Sequence, residues 1–325
     1  MAVASIRRIH PLLHVPFPLH IFASMRILLT GSNGLLGQKL IAALRNDPEV
    51  DLLATSRGAD RTAAPLGTRY RGMDITQKEA VDAVIDAFRP DVIIHTAAMT
   101  NVDACELDPA ACQLQNVTAT QHLVDAAKRT GSHFIFLSTD FIFDGRNGPY
   151  REEDRPAPLS IYGQSKLDGE HIVQQAGLER WAISRTIIVY GTAKGLSRSN
   201  VVLWAKSALE KEEPIKVVDD QWRMPTLAED LADGCIRIAK QRANGIFHLS
   251  GPDGMSILEL VQRVGTYFKL PTDKVQAIQS DSLGQPAKRP PVTGFLLDKA
   301  RRELGYAPHS FETGLAILQA QLTHS

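Results

Sequence analysis

The sequence predicts a doubly wound α/β fold of the Rossmann type: a parallel sheet covered by helices on both faces, joined to a smaller C-terminal α/β substrate lobe. Three observations lead there. From Met25 onward, short apolar strands alternate with helical segments, the pattern of a sheet buried on both sides. A glycine turn, Gly31-Ser-Asn-Gly34-Leu-Leu-Gly37, falls directly between the first strand and the first helix. Beyond Gly191 the alternation loosens, which marks the second lobe.

Taken in order, residues 26–30 form an apolar strand, 35–45 a helix and 51–55 a second strand, and a short third strand ends near Met73. Residues 77–88 read as a helix and 91–96 as a strand. Ala, Leu and Val run along one side of 109–129, which predicts one long helix. A buried strand follows at 133–137. The stretch 141–160, with Gly145, Gly148, Pro149, Pro156 and Pro158, is loop by composition. Residues 161–176 are helical and 181–189 form the next strand. Further on, helices are expected at 200–209, 227–240, 256–268 and 311–321, strands at 215–218 and 246–249, and a Pro/Gly-rich loop at 284–294. The division that results is a dinucleotide-binding domain over 25–193 and mainly a substrate-binding lobe over 194–325. A lobe packed over the carboxyl edge of the sheet completes a cleft where open α/β sheets bind ligands.

Composition narrows the class. The 325 residues are 44% hydrophobic and 22% charged, with 36 basic and 36 acidic side chains, an ordinary globular balance. That neutrality supplies no electrostatic reason for a nucleic-acid or acidic-membrane partner. Three cysteines without a Cys-x-x-Cys pair indicate neither a disulfide framework nor a zinc site, and a reducing cytoplasm fits. Before Met25, Arg7 and Arg8 precede an apolar stretch superficially like a signal peptide. Pro11, His14, Pro16, Pro18 and His20 interrupt it, so residues 1–24 are expected to be a disordered extension.

The glycine turn carries the first chemistry. Gly31 permits the tight turn, Gly34 the approach of a pyrophosphate and Gly37 close packing of helix on strand, while the helix N-terminus offers N–H groups to phosphate. Asn33, Leu35 and Leu36 of the same turn are counted with them. No Lys-Ser/Thr follows the last glycine, so this is not a nucleoside-triphosphate loop. About twenty residues on, where NAD enzymes place an acid for the ribose hydroxyls, stand Ser56 and Arg57. Arg57 pairs with a 2′-phosphate, which favours NADPH, or is a solvated loop cation. Asp74 and Ile75 close the third strand, where Asp74 either meets the adenine edge or caps the next helix. Ala97 and Ala98 are small enough for a cofactor to lie against the backbone. Tyr162 and Lys166 are four residues apart on one helix and so share a face. A neighbouring ammonium lowers a phenol's pKa and makes Tyr162 a usable acid. The hydroxyl pair Ser138-Thr139 ends the preceding strand.

Together these residues resemble the extended short-chain dehydrogenase/reductase superfamily, and within it the dTDP-4-dehydrorhamnose reductases. Further strings that carry the likeness are Asn116-Val, Ser138-Thr-Asp-Phe-Ile-Phe-Asp144-Gly145, Val218-Asp-Asp-Gln-Trp-Arg-Met-Pro225-Thr226 and Arg289-Pro290. The resemblance implies NADPH-dependent reduction of the 4-keto group of a nucleotide-linked deoxysugar. Tyr162 would then be the proton donor, Lys166 the ribose-binding residue and Thr139 the hydroxyl that bonds the ketone oxygen. It also implies that Thr100, Val102, Asp140 and Arg289 bind substrate, although Asp140 and Arg289 fit purely structural roles equally, and it leaves a homodimer open. Phe141 stands where similar dehydratases carry a Glu, which argues for plain reduction. Ile188 and Met99 stand where the reductases carry a Trp and a frequent Tyr, which puts the sugar in question. The segment Gly148-Pro-Tyr-Arg-Glu-Glu-Asp-Arg-Pro-Ala-Pro-Leu-Ser-Ile-Tyr162 is also similar to the regulatory β subunit of methionine adenosyltransferase. That implies an alternative role as an NADP-binding regulator.

Overall fold

Ile27, Leu28 and Leu29 have no solvent exposure, nor do Ile93, Ile94 and the run from Phe134 to Phe136. Strands apolar on both sides belong at the centre of a covered parallel sheet, and the computed structural model, which describes residues 24–62, 68–196 and 199–323, places them there. Residues 1–23, nearly all of the expected extension, lie outside the described residues.

The first part of the chain runs β1 (Met25–Thr30), α1 (Leu35–Leu44), β2 (Val50–Ser56), β3 (Arg69–Gly72), α2 (Lys78–Phe88), β4 (Val92–His95), α3 (Val102–Leu107), α4 (Pro109–Gln113), α5 (Ala119–Thr130), β5 (His133–Thr139), α6 (Ile161–Gln175) and β6 (Trp181–Thr186). The second part holds β7 (Val189–Tyr190), α7 (Val201–Glu210), β8 (Ile215–Val218), β9 (Trp222–Arg223), β10 (Thr226–Leu227), α8 (Ala228–Gln241), β11 (Gly245–His248), β12 (Met255–Ser256), α9 (Ile257–Phe268), β13 (Val275–Ile278), α10 (Asp298–Leu304) and α11 (Phe311–Thr323). Seven parallel strands form the main sheet in the order β3-β2-β1-β4-β5-β6-β11. The order reverses between β1 and β4, the switch point of this doubly wound Rossmann-type fold.

Alternation along β1 divides the core. Ile27 and Leu29 pack with Leu40 and Ile41 of α1 and Leu231 and Ile238 of α8. Leu28 faces the other way, toward Val81 and Ile85 of α2, Leu123 of α5 and Val173 of α6. A separate apolar cluster, with Ala205 and Leu209 of α7, Val261 and Val264 of α9 and Leu315 and Leu318 of α11, makes the second lobe. No helix among the described residues is long and apolar enough to cross a membrane.

Four features differ from the expectations. The long helix at 109–129 is α4 and α5 joined by a π-turn over Leu114–Thr118, which turns Asn116 into the interior. The strand expected over 181–189 stops at Thr186. Ile188 takes φ 30°, a left-handed conformation unfavourable for a β-branched residue, and β7 then pairs with β10 outside the main sheet. The strand expected at 246–249 is β11, which extends the main sheet beside β6, and α8 lies on α1, so residues 228–248 return from the second lobe to the first. The short helices α3 and α10 and the short strands β9, β10, β12 and β13 were not expected.

Gly31 adopts φ 72°, and a Cβ on Gly37 would stand 2.4 Å from the Gly31 carbonyl oxygen. The turn and α1 are thus packed backbone to backbone. Gly37→Ala is expected to cost about 1–3 kcal/mol from overpacking, read as a lower urea midpoint with an unchanged slope.

Candidate active site

Two cavities meet at the carboxyl edge of the sheet. The first, about 450 Å³, lies over the glycine turn. Gly31, Asn33, Gly34, Leu35, Leu36 and Gly37 line it, together with Ser56, Arg57, Asp74, Ile75, Ala97 and Ala98. The second, about 590 Å³, is lined by Thr139, Tyr162 and Lys166, by Thr100 and Val102, and by Asp140. Gly34, Leu35, Thr96 and Ala98 line both, so the two make one continuous cleft.

The first cavity suits a dinucleotide. Gly34 caps α1 without a side chain and the first turn carries no acid, so its N–H groups have no side-chain competitor for a phosphate. Asn33 donates to Ser56 Oγ at 2.6 Å and to the Ala59 carbonyl at 2.9 Å, and accepts from the Arg61 N–H at 2.8 Å. Ser56 Oγ in turn meets the Tyr70 hydroxyl at 2.9 Å. This network fixes the loop after β2, on which Arg57 and Arg61 are exposed and border the cavity. Arg61 was missed in the sequence; its signal is a second guanidinium four residues past the end-of-strand arginine. Asp74 Oδ1 accepts from the Thr76 N–H at 3.0 Å and hydroxyl at 2.8 Å, so it closes the turn before α2 while also lining the cavity.

In the second cavity, α6 brings Tyr162 and Lys166 to the end of β5. Ser160 caps the helix by accepting from the Gly163 N–H at 3.2 Å. A Cβ on Gly163 would lie 2.2 Å from the Phe141 carbonyl oxygen, so only glycine lets α6 approach the loop after β5 this closely. Tyr162 and Thr139 thereby line the same cavity. Lys166 Nζ lies 4.0 Å above the Phe136 ring. Asn116, 1% exposed, ties the wall together: it donates to the Met99 carbonyl at 3.0 Å and to Ser165 Oγ at 2.9 Å, and accepts from the Met99 N–H at 2.7 Å.

Burial dominates the titration of the site. It pushes the Tyr162 phenol above its ordinary value, and it pushes Lys166 down to about 7 against the attraction of Glu170. The expected lowering of the phenol by Lys166 is therefore not seen: burial raises it, and the nearby Asp140 adds to the rise. His95 is driven to about 3 by burial, with Lys166 adding to the effect, so it is neutral. It bonds Thr30 at 2.8 Å and Thr120 at 3.2 Å, a packing role.

Two residues expected to contact substrate are engaged within the protein. Arg289 lines neither cavity; its guanidinium grips both carboxylate oxygens of Asp103 at 3.1 and 2.7 Å. A pyrophosphate at Arg289 would have to displace that bidentate pair. Asp140 reaches the wall of the cleft but is 2% exposed, and its oxygens accept from Thr139 and Thr293. Ile188 lines the substrate end of the cleft and, as an aliphatic wall, offers no stacking face.

A seven-stranded doubly wound sheet, a glycine turn at its switch point and a Tyr–Lys helix beside a hydroxyl strand end define a protein with the Rossmann-type fold of the NAD(P)-binding reductases. The chain belongs to the family described as the RmlD substrate binding domain, which it matches over residues 25–324, within the extended short-chain dehydrogenase/reductase superfamily. It is 33% identical over 266 residues to methionine adenosyltransferase 2 subunit beta of Xenopus laevis, covering 80% of this chain and 77% of that protein. It is 29% identical over 299 residues to a probable low-salt glycan biosynthesis reductase of Haloferax volcanii, covering 91% of this chain and 98% of that protein. Among solved structures, the dTDP-4-dehydrorhamnose reductase of Bacillus anthracis in complex with NADP superposes with a TM-score of 0.80 at 28% identity, over 92% of this chain and 99% of that one.

A lysine whose folded-state pKa is depressed binds its proton more readily in the unfolded chain. Its contribution therefore makes stability rise with pH between about 7 and the ~10.4 of an unfolded lysine. Lys166→Met should accordingly stabilise the protein most below pH 7, and its margin over wild type should shrink as pH rises above 7. Thermal unfolding at pH 6 and pH 9 compares the two margins; a margin independent of pH would contradict the burial of the ammonium.

Proposed function

We propose that the protein is an NADPH-dependent reductase of the 4-keto group of a nucleotide-linked deoxysugar, with dTDP-4-dehydrorhamnose converted to dTDP-rhamnose as the expected reaction. The observation that carries this reading is that Tyr162, Thr139 and Lys166 line one end of a cleft whose other end is the glycine turn. NADPH would supply the hydride to the carbonyl carbon. The α1 N-terminus would hold its pyrophosphate, Arg57 and Arg61 its 2′-phosphate, and Lys166 its nicotinamide ribose. Tyr162 would give its phenolic proton to the carbonyl oxygen as that oxygen gains charge, and the Thr139 hydroxyl would hold the phenol in line. The buried site magnifies each of these interactions, since water does not screen them. The likeness to the B. anthracis reductase and to the H. volcanii protein supports the same reaction class.

The likeness to methionine adenosyltransferase 2 subunit beta supports a second reading, an NADP-binding regulatory subunit in which the Tyr and Lys are retained. Ile188, in place of an aromatic platform for the sugar, fits it as well. The two separate in one comparison. As a reductase, the purified protein should consume NADPH when dTDP-4-dehydro-6-deoxy-L-mannose is added, and Tyr162→Phe should lose about 10²–10⁴ in kcat. No consumption, together with co-elution with a methionine adenosyltransferase catalytic subunit, would replace the first reading by the second. Either role requires the same coenzyme. Calorimetry should show 2′,5′-ADP binding weakened about tenfold or more by each of Arg57→Ala and Arg61→Ala, with NADH binding unchanged.

A further inference from the structure

Arg57 and Arg61 border the coenzyme cavity from an exposed loop, yet that loop is closed on itself by a chain of hydrogen bonds that runs in one direction only. At one end stands the Arg61 N–H, which can only donate, so the atom of the Asn33 amide that meets it at 2.8 Å is the oxygen. The amide nitrogen then gives its two hydrogens to the Ala59 carbonyl at 2.9 Å and to Ser56 Oγ at 2.6 Å. At the other end, the Tyr70 hydroxyl lies 2.6 Å from the Gly58 carbonyl and 3.3 Å from the Ser56 carbonyl, and both can only accept. The single phenolic proton is committed there. In the 2.9 Å contact between the Ser56 and Tyr70 hydroxyls, the donor must then be Ser56.

The chain thus begins at Arg61 and ends at Gly58, tying residues 56–61 into a ring through one side chain of the glycine turn and one of β3. Tyr70 sits on the edge strand of the main sheet, opposite Ala54 of β2, and lines neither cavity. Ser56 does line the coenzyme cavity, but its proton is spent on Tyr70, so an anion arriving there is met by the guanidinium groups alone. Long exposed arginines gain a phosphate contact only after losing much side-chain freedom, and the backbone that carries them decides how much. We propose that Tyr70 is a positioning residue for coenzyme selection: its hydroxyl terminates the chain that sets the 56–61 loop, and so places Arg57 and Arg61 where a 2′-phosphate meets them. NADH lacks that phosphate and makes no use of the arrangement. The inference rests on the NADPH reading given above.

Tyr70→Phe keeps the ring and removes only the hydroxyl. In the full chain, with affinities read by calorimetry, the ratio of NADPH to NADH affinity should fall about threefold to tenfold in this variant. Ser56→Ala breaks the chain one link earlier and should lower the ratio similarly, which keeps the test open if Tyr70→Phe does not fold. The double variant should lose no more than the larger single loss, since both substitutions cut the same path. Without coenzyme, amide hydrogen exchange at residues 58–61 should quicken in Tyr70→Phe. If wild type favours NADPH but the ratio or the exchange is unchanged in Tyr70→Phe, or if the two losses add, this inference is overturned and the NADPH reading stands. A wild type that does not favour NADPH overturns both.

Discussion

The site depends on one constraint: a phenol, an ammonium and a carboxylate are withdrawn from water together at the carboxyl end of β5. Desolvation drives each toward its neutral form, and the structure tempers this with a second group in every case. Tyr162 has Thr139, Lys166 has the Phe136 face and the field of Glu170, and Asp140 has Arg223 and two hydroxyls. Isolated buried charges are costly, so such groups persist only inside a network that satisfies them. The fold provides it because parallel strands deliver their carboxyl ends to one edge, and the reversal of order between β1 and β4 opens the cleft there.

The two lobes are not independent beads on a chain. The second lobe has its own apolar cluster around α7, α9 and α11, but α8 and β11 complete the first lobe's core and sheet. Residues 290–293 tie back to Asp140, and Arg289 to Asp103. The reactive edge is therefore held from both sides.

Much of this was legible in the sequence because it is local. The β1 turn, the spacing of Tyr162 and Lys166 and the hydroxyl end of β5 all follow from short stretches with strong periodicity or fixed spacing, and each lies where the pattern put it. What escaped depends on distant partners. Arg289 was assigned to substrate by resemblance, and its actual partner, Asp103, is 186 positions away. Residues 246–249 were placed with the second lobe by their position in the chain, and only the partner β6 assigns them to the main sheet. The pKa of Tyr162 was misjudged for a related reason: a neighbouring ammonium is visible in the sequence, whereas the degree of burial is not.

The π-turn at Leu114–Thr118 carries a further implication. A wider turn inserts one extra residue into the helical winding, and each residue rotates a helix by about 100°. Upstream of it, Cys112 faces the Tyr162 side; downstream, Leu123 and Val124 face α2 and the sheet. The insertion reconciles two surfaces that an uninterrupted spiral would leave out of phase. Evolution can therefore exchange side chains along this rod, but losing or gaining a single codon there would swing one half of its apolar seam into solvent.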